Sequence, residues 1–168
     1  PTNSAHGLQI MQVCSAFAKS GCEVELMVPR RIGAVKQNPF DYYGVERNFK
    51  ITRVPCLDFL FLDGNRPIFL IQLFSFLFFC RLVLLFKKYD ILYSRDFAAG
   101  MYFGNIALEI HSLPKKTSSS YMSVLKKSKA LIVLTGFIKE RMVKLGVDPE
   151  KILVAPDAVN LEKFNISI

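Results

Sequence analysis

Glu109 and His111 stand two residues apart in the stretch IALEIHS. On an extended strand, residues at that spacing face the same side. A carboxylate beside an imidazole can orient the ring and favour its protonated form. A purely structural Glu–His pair at a sheet edge fits the same spacing. Other groups capable of chemistry also follow short apolar runs. Arg30 and Arg31 follow ELMVP, Arg95 and Asp96 follow ILYS, and Ser112 follows His111. Thr135 and Gly136 follow ALIVL, and Asp157 follows ILVAP. His6 and Gly7 close the polar opening PTNSAHG, where backbone N–H groups at a helix start could meet a phosphate or a sugar hydroxyl. The chain has no serine-nucleophile elbow, no HExxH and no Walker phosphate loop.

These side chains can cooperate only if regular elements bring them together. Leu8, Met11, Cys14, Phe17 and Ala18 form a helical stripe, and Gly21 is placed to end that helix in the left-handed conformation. A strand is predicted over 23–28, then a long polar loop over 33–49 with turn signals at Asn38-Pro39 and Gly44. KITRVPC is a second strand, and a Phe-rich helix covers 67–86. Further strands are predicted at 91–93, 106–112, 130–135 and 151–156, with helices near 121–127 and over GFIKERMVKLG, the latter closed by Gly146. Strands alternating with helices give an α/β class, an open parallel sheet with helices on both faces. In such sheets ligands bind beyond the carboxyl ends of the strands, which is where Arg95, His111, Ser112 and Asp157 fall. Two features of the order are unusual. The chain opens in a loop of the kind that follows a strand, so residues are expected before Pro1. The link RDFAAGMYFGN barely reaches the dozen residues a parallel crossover needs, which suggests either a shortened crossover or residues missing near 97–107.

The 168 residues are 51% hydrophobic, with 15 Phe and no Trp, so the chain can fill a core. A formal charge of +8 suits nucleic acid, an anionic membrane surface or phosphorylated substrates, and does not choose among them. Cys14, Cys22, Cys56 and Cys80 form no CxxC pair and read as reduced, buried thiols of a cytoplasmic protein, with no metal site. The segment PIFLIQLFSFLFFCRLVLLF approaches the length of a bilayer span, but Gln72, Ser75 and Arg81 interrupt it. Gln72 and Arg81 fall on opposite helical faces, and a central Arg in lipid is costly. A buried or membrane-touching helix is the expectation.

NSAHGLQIMQVCSAFAKSGCEVELMVP resembles the opening of GT-B glycosyltransferases of family 4, where a Gly-containing loop leads into the first helix. YSRD and LEIHS resemble the fourth and fifth strand ends of that domain. ALIVLTGFIKERMVKLGVDPEKILVAPDAVNLEKF resembles the family's run of strand, Ser/Thr, helix and proline turn, in register over more than 30 residues. Residues 33–66 carry no such likeness. The resemblance implies a retaining, metal-independent sugar transferase built from two Rossmann-like domains around a cleft. Residues 1–158 would be the N-terminal, acceptor-side domain, and 159–168 the start of the interdomain linker. A C-terminal domain with a basic pair and an E-x7-E motif would hold most of the nucleotide-sugar, which is a co-substrate; no other cofactor is implied. That domain is absent from these 168 residues, so the chain alone is expected to be inactive.

Residue by residue, Gly7 matches the glycine loop near the reaction centre, with His6 in place of a second glycine. His111 matches a His near the transferred sugar and is the catalytic candidate. Arg95 matches a strand-end Arg of some members. Asp157 and Ala158 stand where many members have Asn-Gly. With Glu109 and Ser112, these residues make the expected substrate-binding set. The expected partners are the donor domain, a sugar or lipid-linked acceptor and an anionic membrane surface, with no nucleic acid. The expected place is cytoplasmic, peripheral on the inner face of a membrane. The alternative is a standalone Rossmann-like binding or scaffold module at such a surface.

Overall fold

The computed structural model describes residues 5–32, 37–59 and 65–158. The expected linker, 159–168, lies outside them. The chain divides into two compact units, Pro1–Lys87 and Lys88–Ile168.

The first unit contains α1 (Ala5–Lys19), β1 (Glu25–Pro29), α2 (Pro39–Tyr43), β2 (Lys50–Val54) and α3 (Arg66–Leu84). β1 and β2 pair in parallel, with Leu26 beside Ile51 and Val28 beside Arg53. Helix α1 begins earlier than its apolar stripe suggests, so His6 and Gly7 lie in its first turn rather than in a loop. It stops as expected: Gly21 has a φ of +89°, and the Cys22 N–H returns to the Phe17 carbonyl. The loop predicted over 33–49 is corrected in part by α2. Asn38 accepts a hydrogen bond from the Phe40 N–H at 3.0 Å, Pro39 pre-sets the first turn, and Gly44 closes it at a φ of +59°. The two turn signals read from the sequence are thus the two caps of one short helix. Residues 33–36 of that stretch lie outside the described residues. Asn65 caps α3 by accepting from the Ile68 N–H at 3.2 Å.

The second unit is a four-stranded parallel sheet in the order β3 (Tyr93–Ser94), β4 (Ala107–Ile110), β5 (Ala130–Val133) and β6 (Ile152–Val154). Helices α4 (Phe97–Phe103), α5 (Ser119–Lys127) and α6 (Gly136–Lys144) connect the strands, and a 3-10 turn over Pro149–Lys151 precedes β6. Asp96, Ser118 and Thr135 cap the three helices with their side-chain oxygens. Leu108, Leu125, Leu131, Val133 and Met142 are fully buried and form the core of this unit.

The short crossover is real, and α4 explains how so few residues suffice. Its Gly100 lies so close to the next layer that a Cβ there would stand 2.9 Å from Val124 Cγ1 and 3.0 Å from Leu108 Cδ2. Phe97 stacks on Tyr121 of α5 at 4.4 Å. A two-turn helix can therefore lie flat on the sheet. The strand expected at 91–93 shrinks to the pair Tyr93–Ser94. The α/β class with parallel strands and intervening helices holds, with the hydrogen bonds dividing the strands into two sheets.

Candidate functional site

Register assembles the site in the second unit. Tyr93 pairs with Ala107 and Ser94 with Leu108. Continuing that register sets Arg95 opposite Glu109. Leu108 lies under α4, so alternation turns Glu109 to the other face of β4. Tyr93, Arg95, Glu109 and His111 share that face at the carboxyl ends of two neighbouring strands.

Glu109 is the centre. Its side chain is 8% exposed, and that of Arg95 is 7% exposed. The Tyr93 hydroxyl donates to Glu109 Oε2. Arg95 Nε stands 3.1 Å from Oε1, a charge pair in a water-poor setting. His111 Nε2 meets the same Oε1, and Arg95 Nη2 also reaches Nε2. A ring nitrogen cannot donate and accept at once. Protonated, Nε2 donates to Glu109; deprotonated, it accepts from Arg95. The ring thus has a neighbour suited to either tautomer, and 34% of its side chain is exposed. Burial lowers the Arg95 pKa from its ordinary value, and the negative charge of Asp157 opposes that shift.

The expected residues are thus only partly assembled. Arg95, Glu109 and His111 form one bonded cluster. Asp157 is exposed beyond β6 and acts on Arg95 through its charge. Ser112 is exposed just past His111. His6 and Gly7 belong to α1 of the first unit. Asp96 and Thr135, also strand-end residues, serve as helix caps. Tyr93 was missed. Its signal was available: YSR and EIH each carry two polar or aromatic groups at i and i+2, and parallel pairing brings the two sets side by side.

The thiols need a correction. Of the four, Cys80 is buried, Cys14 and Cys56 are half-buried, and Cys22 is exposed. Cys22 follows the left-handed Gly21 at the end of α1, where the chain turns at the surface.

Comparison with curated proteins gives no match. A family model described as Glycosyltransferase Family 4 matches residues 7–163, nearly the whole chain. The parallel α/β architecture and this match agree: the chain belongs to glycosyltransferase family 4 and carries the N-terminal domain of a GT-B fold.

Proposed function

We propose that the chain is the acceptor-side half of a retaining glycosyltransferase that moves a sugar from a nucleotide-sugar to an acceptor. The observation that carries this reading is the half-exposed His111 imidazole, braced from beneath by buried Glu109. Its role is to hydrogen-bond the transferring sugar or the charge that develops as the diphosphate departs. Glu109, itself held by Tyr93 and Arg95, fixes the ring so that little reorganisation is needed in the transition state. Arg95 supplies positive charge, moderated by Asp157. Most contacts to the nucleotide belong to a C-terminal donor domain.

The test compares the 168-residue chain with the full reading frame, using UDP-, GDP- and ADP-sugars. The full-length protein should release nucleoside diphosphate from at least one donor. The chain alone should release none and bind weakly in calorimetry. Low-micromolar binding to the isolated chain, or a full-length protein inert toward every donor, would overturn the reading.

A further inference from the structure

Helix α3 carries an apolar face that the described residues of its own unit leave exposed. Leu70, Ile71, Phe74, Phe78, Leu82 and Leu85 follow helical spacing and are each 39–69% exposed, and Phe86 just beyond is 90% exposed. Only 17% of the helix's most apolar window is buried. That is far more exposed apolar side chain than a scattered surface residue or two would explain.

The opposite side of α3 is packed and pinned. Gln72, Leu77 and Cys80 are buried. Gln72 Nε2 donates to Asp58 Oδ1 at 3.2 Å, and the Leu57 N–H donates to Ser75 Oγ at 2.9 Å. A bilayer-spanning helix would bring Gln72, and the Asp58 carboxylate bonded to it, into lipid, at a high desolvation cost. A helix lying in the plane of an interface keeps the pinned side in the protein and offers only the Phe-rich side.

Charge identifies what meets that side. From Arg66 through Lys88 there is no Asp or Glu, while Arg66, Arg81, Lys87 and Lys88 are basic. Arg81 lies within the apolar face, and Arg66 and Lys88 are exposed at either end of the segment. Lys87 is engaged by Glu25 at 2.6 Å. A second copy of this chain would set like charges against like across an apolar contact. An anionic bilayer instead accepts the Phe and Leu side chains among its acyl chains, while the longer Arg and Lys side chains reach its phosphates. We propose that the Leu70–Phe74–Phe78–Leu82 face of α3 is a peripheral docking surface for an anionic lipid bilayer. This stands independently of the sugar-transfer reading.

The absence of tryptophan from these 168 residues permits a direct test on the chain they form. Phe78→Trp places a single reporter on the proposed face, and Phe137→Trp places one on α6, at a residue 66% exposed. Each protein is mixed at low salt with vesicles of phosphatidylglycerol and phosphatidylcholine, and with vesicles of phosphatidylcholine alone. The expected result is sedimentation with the anionic vesicles only, weakening as salt rises. Trp emission should shift to the blue for the 78 reporter and stay unchanged for the 137 reporter. Phe74→Ser with Lys88→Glu should weaken binding about tenfold or more, with an unchanged circular dichroism spectrum confirming the fold. Protein that stays in the supernatant at low salt overturns the proposal. So does a blue shift at residue 137 but not 78. A blue shift at 78 that grows with protein concentration without lipid also overturns it and identifies a second copy as the occupant.

Discussion

Glu109 is a buried carboxylate whose two oxygens serve Tyr93, Arg95 and His111. Removing it strands the Arg95 guanidinium, itself 7% exposed, without its closest counter-charge. Breaking one partner of a buried pair costs about 3–5 kcal/mol. Glu109→Ala should therefore lose stability on that scale in urea denaturation. Glu109→Leu with Arg95→Met should recover much of it, because neither charge is then buried alone. Recovery of stability without recovery of transfer activity would separate the structural role from the catalytic one. His111 faces the opposite prediction. Its partly exposed ring supports little packing, so His111→Ala should leave the denaturation midpoint near that of the parent. In the full-length enzyme it should lower kcat by about 10²–10³-fold, the scale for a lost donor to transition-state charge. Near-normal turnover in that variant would remove His111 from the mechanism.

At the scale of elements, Gly100 sets the approach of α4 to the sheet. Gly100→Ala gains about 1 kcal/mol of helix propensity. It also drives a Cβ into Val124 Cγ1 and Leu108 Cδ2, and overpacking of this kind costs about 1–3 kcal/mol. The variant should melt at a lower temperature than the parent. In a Val124→Ala background, where the nearest obstruction is gone, the same change should be neutral or stabilising.

A second element-scale link joins β1, β2 and the end of α3. Burial pushes the Glu25 carboxyl up. Hydrogen bonds from Lys87 and Thr52, with the charges of Lys87 and Lys50, outweigh it and hold the pKa below the ordinary 4.5. A lowered carboxylate pKa adds stability above the unfolded value, and that stability is lost as pH falls through the folded one. Glu25 is 26% exposed on its side chain, so the link is worth about 1 kcal/mol at most. The difference in stability between parent and Glu25→Gln should be present at neutral pH and vanish in the acid range below 4.5.

Over the whole molecule, the four thiols report on how the chain is packed. Burial raises Cys14 to about 11 and Cys80 to about 12, from an ordinary 9.0. The thiolate is the reactive form, so at pH 8 Cys80 presents about a thousandfold less of it than an ordinary thiol, before its shielding is counted. Mass spectrometry after brief alkylation should find Cys22 modified first and Cys80 last. Labelling of Cys80 should appear only with denaturant; early labelling would show that α3 opens readily.

The alternation of short apolar strands with helices was written in the sequence because side-chain period is a local property, and so were most helix ends. Gly21 and Gly146 stop helices where they were expected to, since a positive φ depends on one residue alone. The Glu109–His111 pairing was legible for the same reason: two residues on one strand share a face wherever the strand goes. The partners of that pair were not. Tyr93 reaches Glu109 only through the register of β3 against β4, a relation between segments that no single segment encodes. The Phe-rich helix shows the same division. Its composition announced a need for apolar surroundings, and only the packing of Gln72, Leu77 and Cys80 decided which face was satisfied and which was left exposed. Burial and pairing are properties of neighbours in space, and those neighbours are chosen by the fold.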